Sequence, residues 1–133
     1  MFNAIMKASI LIVDDEEIIR NFAAHALERL GYTVSRCSNG LEAVEWMTQR
    51  ADEVDLVVLD LIMPKLSGKD TFYRLREMAP TIPIVIASGF TQTEAVSELL
   101  HDGAVGFLSK PFRLEDLSRE AAKHVGRKQG TES

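Results

Sequence analysis

The chain has 133 residues, a formal net charge of −5 and 46% hydrophobic side chains, which fits one domain with a real core and excludes a disordered chain. Its acidic balance argues against direct binding of nucleic acid, and no apolar run approaches the roughly 20 residues that cross a bilayer. A single cysteine, Cys37, excludes an internal disulfide, and the N-terminus lacks a signal-peptide pattern, so the expected compartment is the cytoplasm.

Residues 1–7 read as an N-terminal extension. Ile10-Leu11-Ile12-Val13 is an apolar run that stops at Asp14-Asp15, the pattern of a strand buried on both faces of a parallel sheet. Residues 16–30 place Ile18, Ile19, Phe22, Ala23, Ala26 and Leu30 at helical spacing, and Gly31 marks the stop. Glu16 and Glu17 favour the positive end of that helix dipole and add negative potential nearby. Tyr32 to Arg36 alternates as an edge strand does. Asn39 with Glu42 reads as a helix cap, followed by Leu41, Val44 and Met47 at helical spacing.

Leu56-Val57-Val58-Leu59 is a second buried run and ends on Asp60. A loop with Pro64 and Gly68 leads to a helix carrying Phe72, Leu75 and Met78. Pro80 and Pro83 bracket the entry to Ile84-Val85-Ile86-Ala87-Ser88. Thr91-Gln92-Thr93-Glu94 reads as a capping box for a helix reaching about His101, ended by Gly103. Val105-Gly106-Phe107-Leu108-Ser109 is followed by Lys110-Pro111, and a last helix carries Leu114, Leu117, Ala121 and Val125. Five β-α units in succession predict an α/β domain with a parallel sheet and helices on both faces.

Asp14, Asp15, Asp60, Ser88 and Lys110 then all stand at the carboxyl ends of strands, the edge where open α/β sheets build binding sites. Carboxylates, a hydroxyl and an ammonium gathered there suit chemistry on a phosphate with a divalent cation. Crowded aspartates raise one another's pKa unless a cation shares the site, and Mg²⁺ prefers such oxygen ligands. Taken alone, an Asp before a helix is more often a cap and Phe107 more often core; the combination carries the functional reading. Cys37, Trp46 and the methionines read as structural. His25, His101 and His124 lack metal-ligand spacing and read as surface residues.

Nearly the whole chain resembles the receiver domains of bacterial response regulators, single-domain chemotaxis receivers among them. The motifs are Asp14-Asp15, Asp60 followed by Met63-Pro64 and Gly68, Ser88-Gly89, and Lys110-Pro111-Phe112, in the family's order and spacing. The resemblance implies a flavodoxin-like, doubly wound (βα)5 fold with strand order 2-1-3-4-5, spanning residues 8–126. It implies that Asp60 accepts a phosphoryl group from the phosphohistidine of a sensor histidine kinase or phosphotransfer protein. Asp15, Asp60 and the main-chain carbonyl of Ile62 are the implied direct Mg²⁺ ligands, with Asp14 acting mostly through water. Lys110 and Ser88 would contact phosphoryl oxygens, and Ser88 with Phe107 would switch the surface of the fourth helix, fifth strand and fifth helix toward a downstream protein. A cis Lys110-Pro111 bond is also implied.

The polar tail, 127–133, is too short for an output domain, so a stand-alone receiver, monomeric or weakly dimeric on phosphorylation, is expected over one cut from a longer protein. A silent docking module conflicts with the complete acid, hydroxyl and lysine set. A Mg²⁺-dependent phosphohydrolase would need an acid/base two residues after the nucleophile, where this chain has apolar Ile62. Catalysis is therefore expected only of the domain's own phosphorylation and dephosphorylation. Apolar Ile62 and Phe90 give no polar help to an attacking water, which predicts a long-lived phosphorylated state.

Overall fold

A computed structural model describes residues 8–89 and 93–125. Its strands are β1 (Ser9–Val13), β2 (Thr33–Cys37), β3 (Leu56–Asp60), β4 (Ile84–Ser88) and β5 (Gly106–Ser109). They form one parallel sheet in the order β2-β1-β3-β4-β5, as the resemblance implies. The helices are α1 (Glu17–Arg29), α2 (Gly40–Arg50), α3 (Gly68–Met78), α4 (Thr93–His101) and α5 (Leu114–His124), with a short 3₁₀ turn at Ala51–Glu53 after α2.

Alternation along the buried strands divides the core in two. Leu11, Val13, Val57, Leu59, Ile84 and Ile86 face Met47 of α2, Phe72 and Leu75 of α3, and Leu99 of α4. Ile10, Ile12, Leu56, Val58, Val85 and Ala87 face Ala23 and Leu27 of α1 and Leu117 and Ala121 of α5. β3 and β4 are buried along their whole length, as central strands covered on both faces must be.

The caps and stops follow from local chemistry. The Asn39 side chain accepts the backbone N–H of Glu42, whose own carboxylate accepts from Ser38 rather than from Asn39. Ser67, absent from the sequence reading, caps α3 by accepting from the Asp70 N–H at 3.1 Å. Gly31 and Gly103, at φ of 102° and 117°, supply the left-handed turns that end α1 and α4. The expected capping box at Thr91–Glu94 lies partly outside the described residues.

In α1, read from the sequence as a helix, the buried stripe is Ala23, Ala24 and Leu27, while Ile18, Phe22 and, just past its end, Leu30 stay exposed. The apolar residues of α1 cover more of its circumference than one sheet can hide, and small alanines let the helix lie close. His124, read as a surface residue, is 2% exposed, with Nε2 3.2 Å from Oε1 of Glu120. The side chain sits on the inner stripe of α5 with Leu117 and Ala121, and the carboxylate one turn earlier satisfies its ring nitrogen.

Gly68 fixes how α3 leaves the sheet. Its N–H donates to the Leu61 carbonyl at 2.9 Å, and a Cβ there would stand 2.3 Å from the Asp60 carbonyl oxygen and 2.4 Å from Leu61 Cα. Both neighbours are backbone and cannot step aside as a flexible side chain would. Gly68→Ala should therefore destabilise the domain by about 1–3 kcal/mol in urea titrations and shift the amide resonances of residues 60–62. Wild-type stability would show that the strand end yields freely.

Candidate functional site

Parallel register brings the site together. Val13 lies level with Leu59, Asp60 with Ala87, and Ser88 with Ser109, so the residues after β1 and β5 and the last residues of β3 and β4 share one edge. Backbone bonds extend the ladder past the strands: Asp14 N–H donates to the Cys37 carbonyl at 3.1 Å and Lys110 N–H to the Ser88 carbonyl at 2.8 Å. The Lys110-Pro111 peptide is cis, as expected.

At that edge Asp14 and Asp60 are 4% exposed and Ser88 fully buried, whereas Asp15 is exposed. The Lys110 ammonium lies 2.7 Å from Asp14 Oδ2, 3.3 Å from Asp60 Oδ1 and 3.2 Å from Glu16 Oε1. Asp14 Oδ1 accepts the Glu16 N–H at 2.9 Å, and Arg20 donates to the Asp14 carbonyl at 2.9 Å. Asp14, not Asp15, thus holds the residue that leads into α1, and Asp15 lines a cleft of about 530 Å³ with Asp60, Ile62, Gly89 and Lys110. Glu16 does more than the helix-dipole role read from the sequence, because it binds the same ammonium as the aspartates. Only the pairing across 94 residues reveals this.

Burial, with the nearby Asp14 charge, pushes the Asp60 carboxyl up to about 7 against the opposing pull of Lys110. Burial alone would lower Lys110, but Asp14, Asp60 and Glu16 together hold it above the ordinary lysine range. One ammonium therefore stays charged without fully neutralising the acids around it. Asp14, Asp15 and Asp60 each present a carboxylate oxygen within 4.8 Å of the others, a donor set that fits a hard divalent cation.

Phe107 is half-buried against the apolar cluster shared by α2, α3 and α4, on β5, with β4 between it and the strand that carries Asp60. Ile62 is 49% exposed at the cleft; Phe90 lies outside the described residues. Lys65, in the loop after β3, has φ of 68°, a left-handed conformation that costs a non-glycine residue of order 1 kcal/mol. Beside the cleft, the Phe22 and Phe112 rings lie 6.3 Å apart, and Ile18 and Leu114 are exposed.

A doubly wound parallel sheet with an acidic, lysine-bearing cleft at its carboxyl edge defines the class of open α/β domains that build their sites at that edge. The sequence profile of the response regulator receiver domain matches residues 10–122, and the chain belongs to that family. It is 38% identical over 111 residues to the sensor kinase CckA of Brucella abortus, covering 84% of this chain and 12% of that protein. It is 37% identical to the response regulator MprA of Mycobacterium ulcerans, covering 84% of this chain and 47% of MprA. The chain thus spans less than half the length of these relatives. Among solved structures, a receiver domain protein from Clostridium thermocellum superposes with a TM-score of 0.87 at 30% identity, over 92% of this chain and 97% of that one. The chemotaxis protein CheY4 of Vibrio cholerae gives 0.82 at 29% identity, over 89% and 98%. Among the described residues, no helix is long and apolar enough to cross a membrane.

Without a bound cation, the folded protein holds the Asp60 proton more tightly than an unfolded chain, whose aspartates titrate near 3.8. This group's contribution to stability therefore falls as pH rises from about 4 to about 7. Metal-free wild type and Asp60→Asn should melt alike near pH 4, and Asp60→Asn should melt several degrees higher at pH 7. Parallel melting curves across that range would refute the raised carboxyl.

Proposed function

We propose that this domain accepts a phosphoryl group on Asp60 from the phosphohistidine of a sensor histidine kinase or phosphotransfer protein, and so controls a downstream protein partner. The observation that carries the reading is Asp60 itself, a buried carboxylate in an open cleft with the Lys110 ammonium at 3.3 Å. In the transfer, an Asp60 oxygen forms the new bond to phosphorus while the bond from phosphorus to the imidazole nitrogen breaks. The imidazole keeps that electron pair. Because phosphoryl transfer asks mainly for positioning and charge neutralisation, Lys110 binds the incoming oxygens and the Ser88 hydroxyl donates to another.

Mg²⁺ would be held directly by Asp15, Asp60 and the main-chain carbonyl of Ile62, and by Asp14 through water. Support for that division comes from Asp14, whose two oxygens already accept from Glu16 and Lys110, while Asp15 is exposed. When bound, the ion supplies positive charge that offsets repulsion between the acids and the phosphoryl oxygens.

Receiver domains interact with histidine kinases and downstream effectors, and their catalysis is typically limited to their own phosphorylation. For the donor, the exposed apolar rim of Ile18, Phe22 and Leu114 beside the cleft suits an apolar helical surface. We place the domain in the cytoplasm, as a monomer or weak phosphorylation-dependent dimer. With acetyl phosphate and Mg²⁺, intact-mass spectra should show one acid-labile phosphoryl adduct, lost in Asp60→Asn and slowed in Asp15→Asn. A full adduct in Asp60→Asn would remove Asp60 as the acceptor.

The readout is the surface of α4, β5 and α5. Drawing the Ser88 hydroxyl toward the phosphoryl group opens space that lets Phe107 turn further inward, and packed interiors convert such shifts into discrete rearrangements. Beryllofluoride with Mg²⁺ should perturb amide resonances from about residue 88 to residue 120, and Phe107→Ala should confine the changes to the cleft. Equal spread in both proteins would exclude the aromatic switch.

A further inference from the structure

Lys110 has three ammonium N–H donors, and three carboxylates surround it: Asp14 at 2.7 Å, Glu16 at 3.2 Å and Asp60 at 3.3 Å. A phosphoryl oxygen arriving at Asp60 must take one of these donors. The Asp14 and Asp60 side chains are 6% and 5% exposed, so neither reaches bulk water if released. The Glu16 side chain is 58% exposed and already mostly hydrated. It is therefore the contact that costs least to give up.

We propose that Glu16 is a positioning residue that competes with the phosphodonor for the Lys110 ammonium, and so sets the apparent affinity of the site for anionic donors. This rests on Asp60 being the phosphoacceptor. While Glu16 is engaged, its carboxylate occupies one N–H and places a negative charge at the mouth of the cleft, which it lines with Lys110. When a phosphoryl group enters, Lys110 exchanges Glu16 for a phosphoryl oxygen and Glu16 turns into solvent. Because donor and Glu16 compete before transfer, the effect falls on the half-saturating donor concentration rather than on the maximal rate.

The test compares wild type, Glu16→Gln and Glu16→Asp, titrated with acetyl phosphate at saturating Mg²⁺. At low ionic strength Glu16→Gln should lower the half-saturating concentration roughly fivefold, with the maximal rate unchanged, and high salt should erase most of the difference. Glu16→Asp keeps the charge and should resemble wild type. A second readout needs neither metal nor donor: the side-chain ¹⁵N resonance of Lys110 should move in metal-free Glu16→Gln and stay near its wild-type position in Glu16→Asp. Equal half-saturation in wild type and Glu16→Gln, or a change that survives high salt and appears equally in Glu16→Asp, overturns the proposal. If the wild type forms no adduct at Asp60, the phosphoacceptor reading falls and this proposal with it. An adduct that forms alike in all three proteins sinks this proposal alone.

Discussion

The site depends on one ammonium group shared by buried acids. Lys110 contacts Asp14, just past β1, and Asp60, at the end of the central strand β3, and all three side chains are nearly removed from water. Removing the ammonium from such a cluster would leave buried carboxylates uncompensated, which is far more costly than loss of a surface pair. The strand order makes the sharing possible. β1 and β3 are neighbours and β4 separates β3 from β5, so the lysine after β5 must reach across the end of β4 to meet both aspartates. Ser88, the last residue of β4, lies beneath that span, where the chain has a small side chain.

The same cluster is incompletely neutralised. Asp14, Asp15, Glu16 and Asp60 offer four carboxylates against one nearby lysine, and the fold tolerates this because Asp15 and Glu16 remain in water. Asp60, largely buried at the base of the cleft, carries a raised carboxyl pKa. On the phosphoacceptor reading, the nucleophile is one of the two acids most removed from water, and the exposed acids keep the pocket attractive to cations.

Much of this was legible in the sequence, for physical reasons. Runs such as Leu56–Leu59 and Ile84–Ala87 are apolar on both faces, which only central parallel strands require, and their abrupt ends at Asp60 and Ser88 mark the reactive edge. The order of the strands came from family resemblance, because apolar patterning identifies strands without saying which ones pair. α1 was legible as a helix but its buried stripe was not: its apolar residues Ile18, Phe22 and Leu30 repeat at helical spacing, yet the alanines between them pack the sheet. Periodicity measures where apolar residues fall and not which stripe is narrow enough to approach a neighbour. His124 was missed because burial of an α5 histidine depends on Glu120 one turn away. The role of Glu16 depends on Lys110, 94 residues later. Neither pairing has a local signal.

The charge balance also ties cation to phosphoryl group. On the phosphoacceptor reading, a divalent cation brings the four carboxylates and one ammonium from a formal −3 to −1, and a phosphoryl group then adds roughly two negative charges to the same cleft. Each makes the other's presence more favourable, and linkage requires the coupling to be equal in both directions. A domain that lost the cation while phosphorylated would hold a phosphoryl group among carboxylates with Lys110 as their nearest counter-charge. Lys110 cannot satisfy them all, because its three donors are already divided among Asp14, Glu16 and Asp60. The lysine alone therefore stabilises the empty cleft well and the phosphorylated one poorly. On that reading, this difference, more than the strength of any single pair, is what a bound metal would make up.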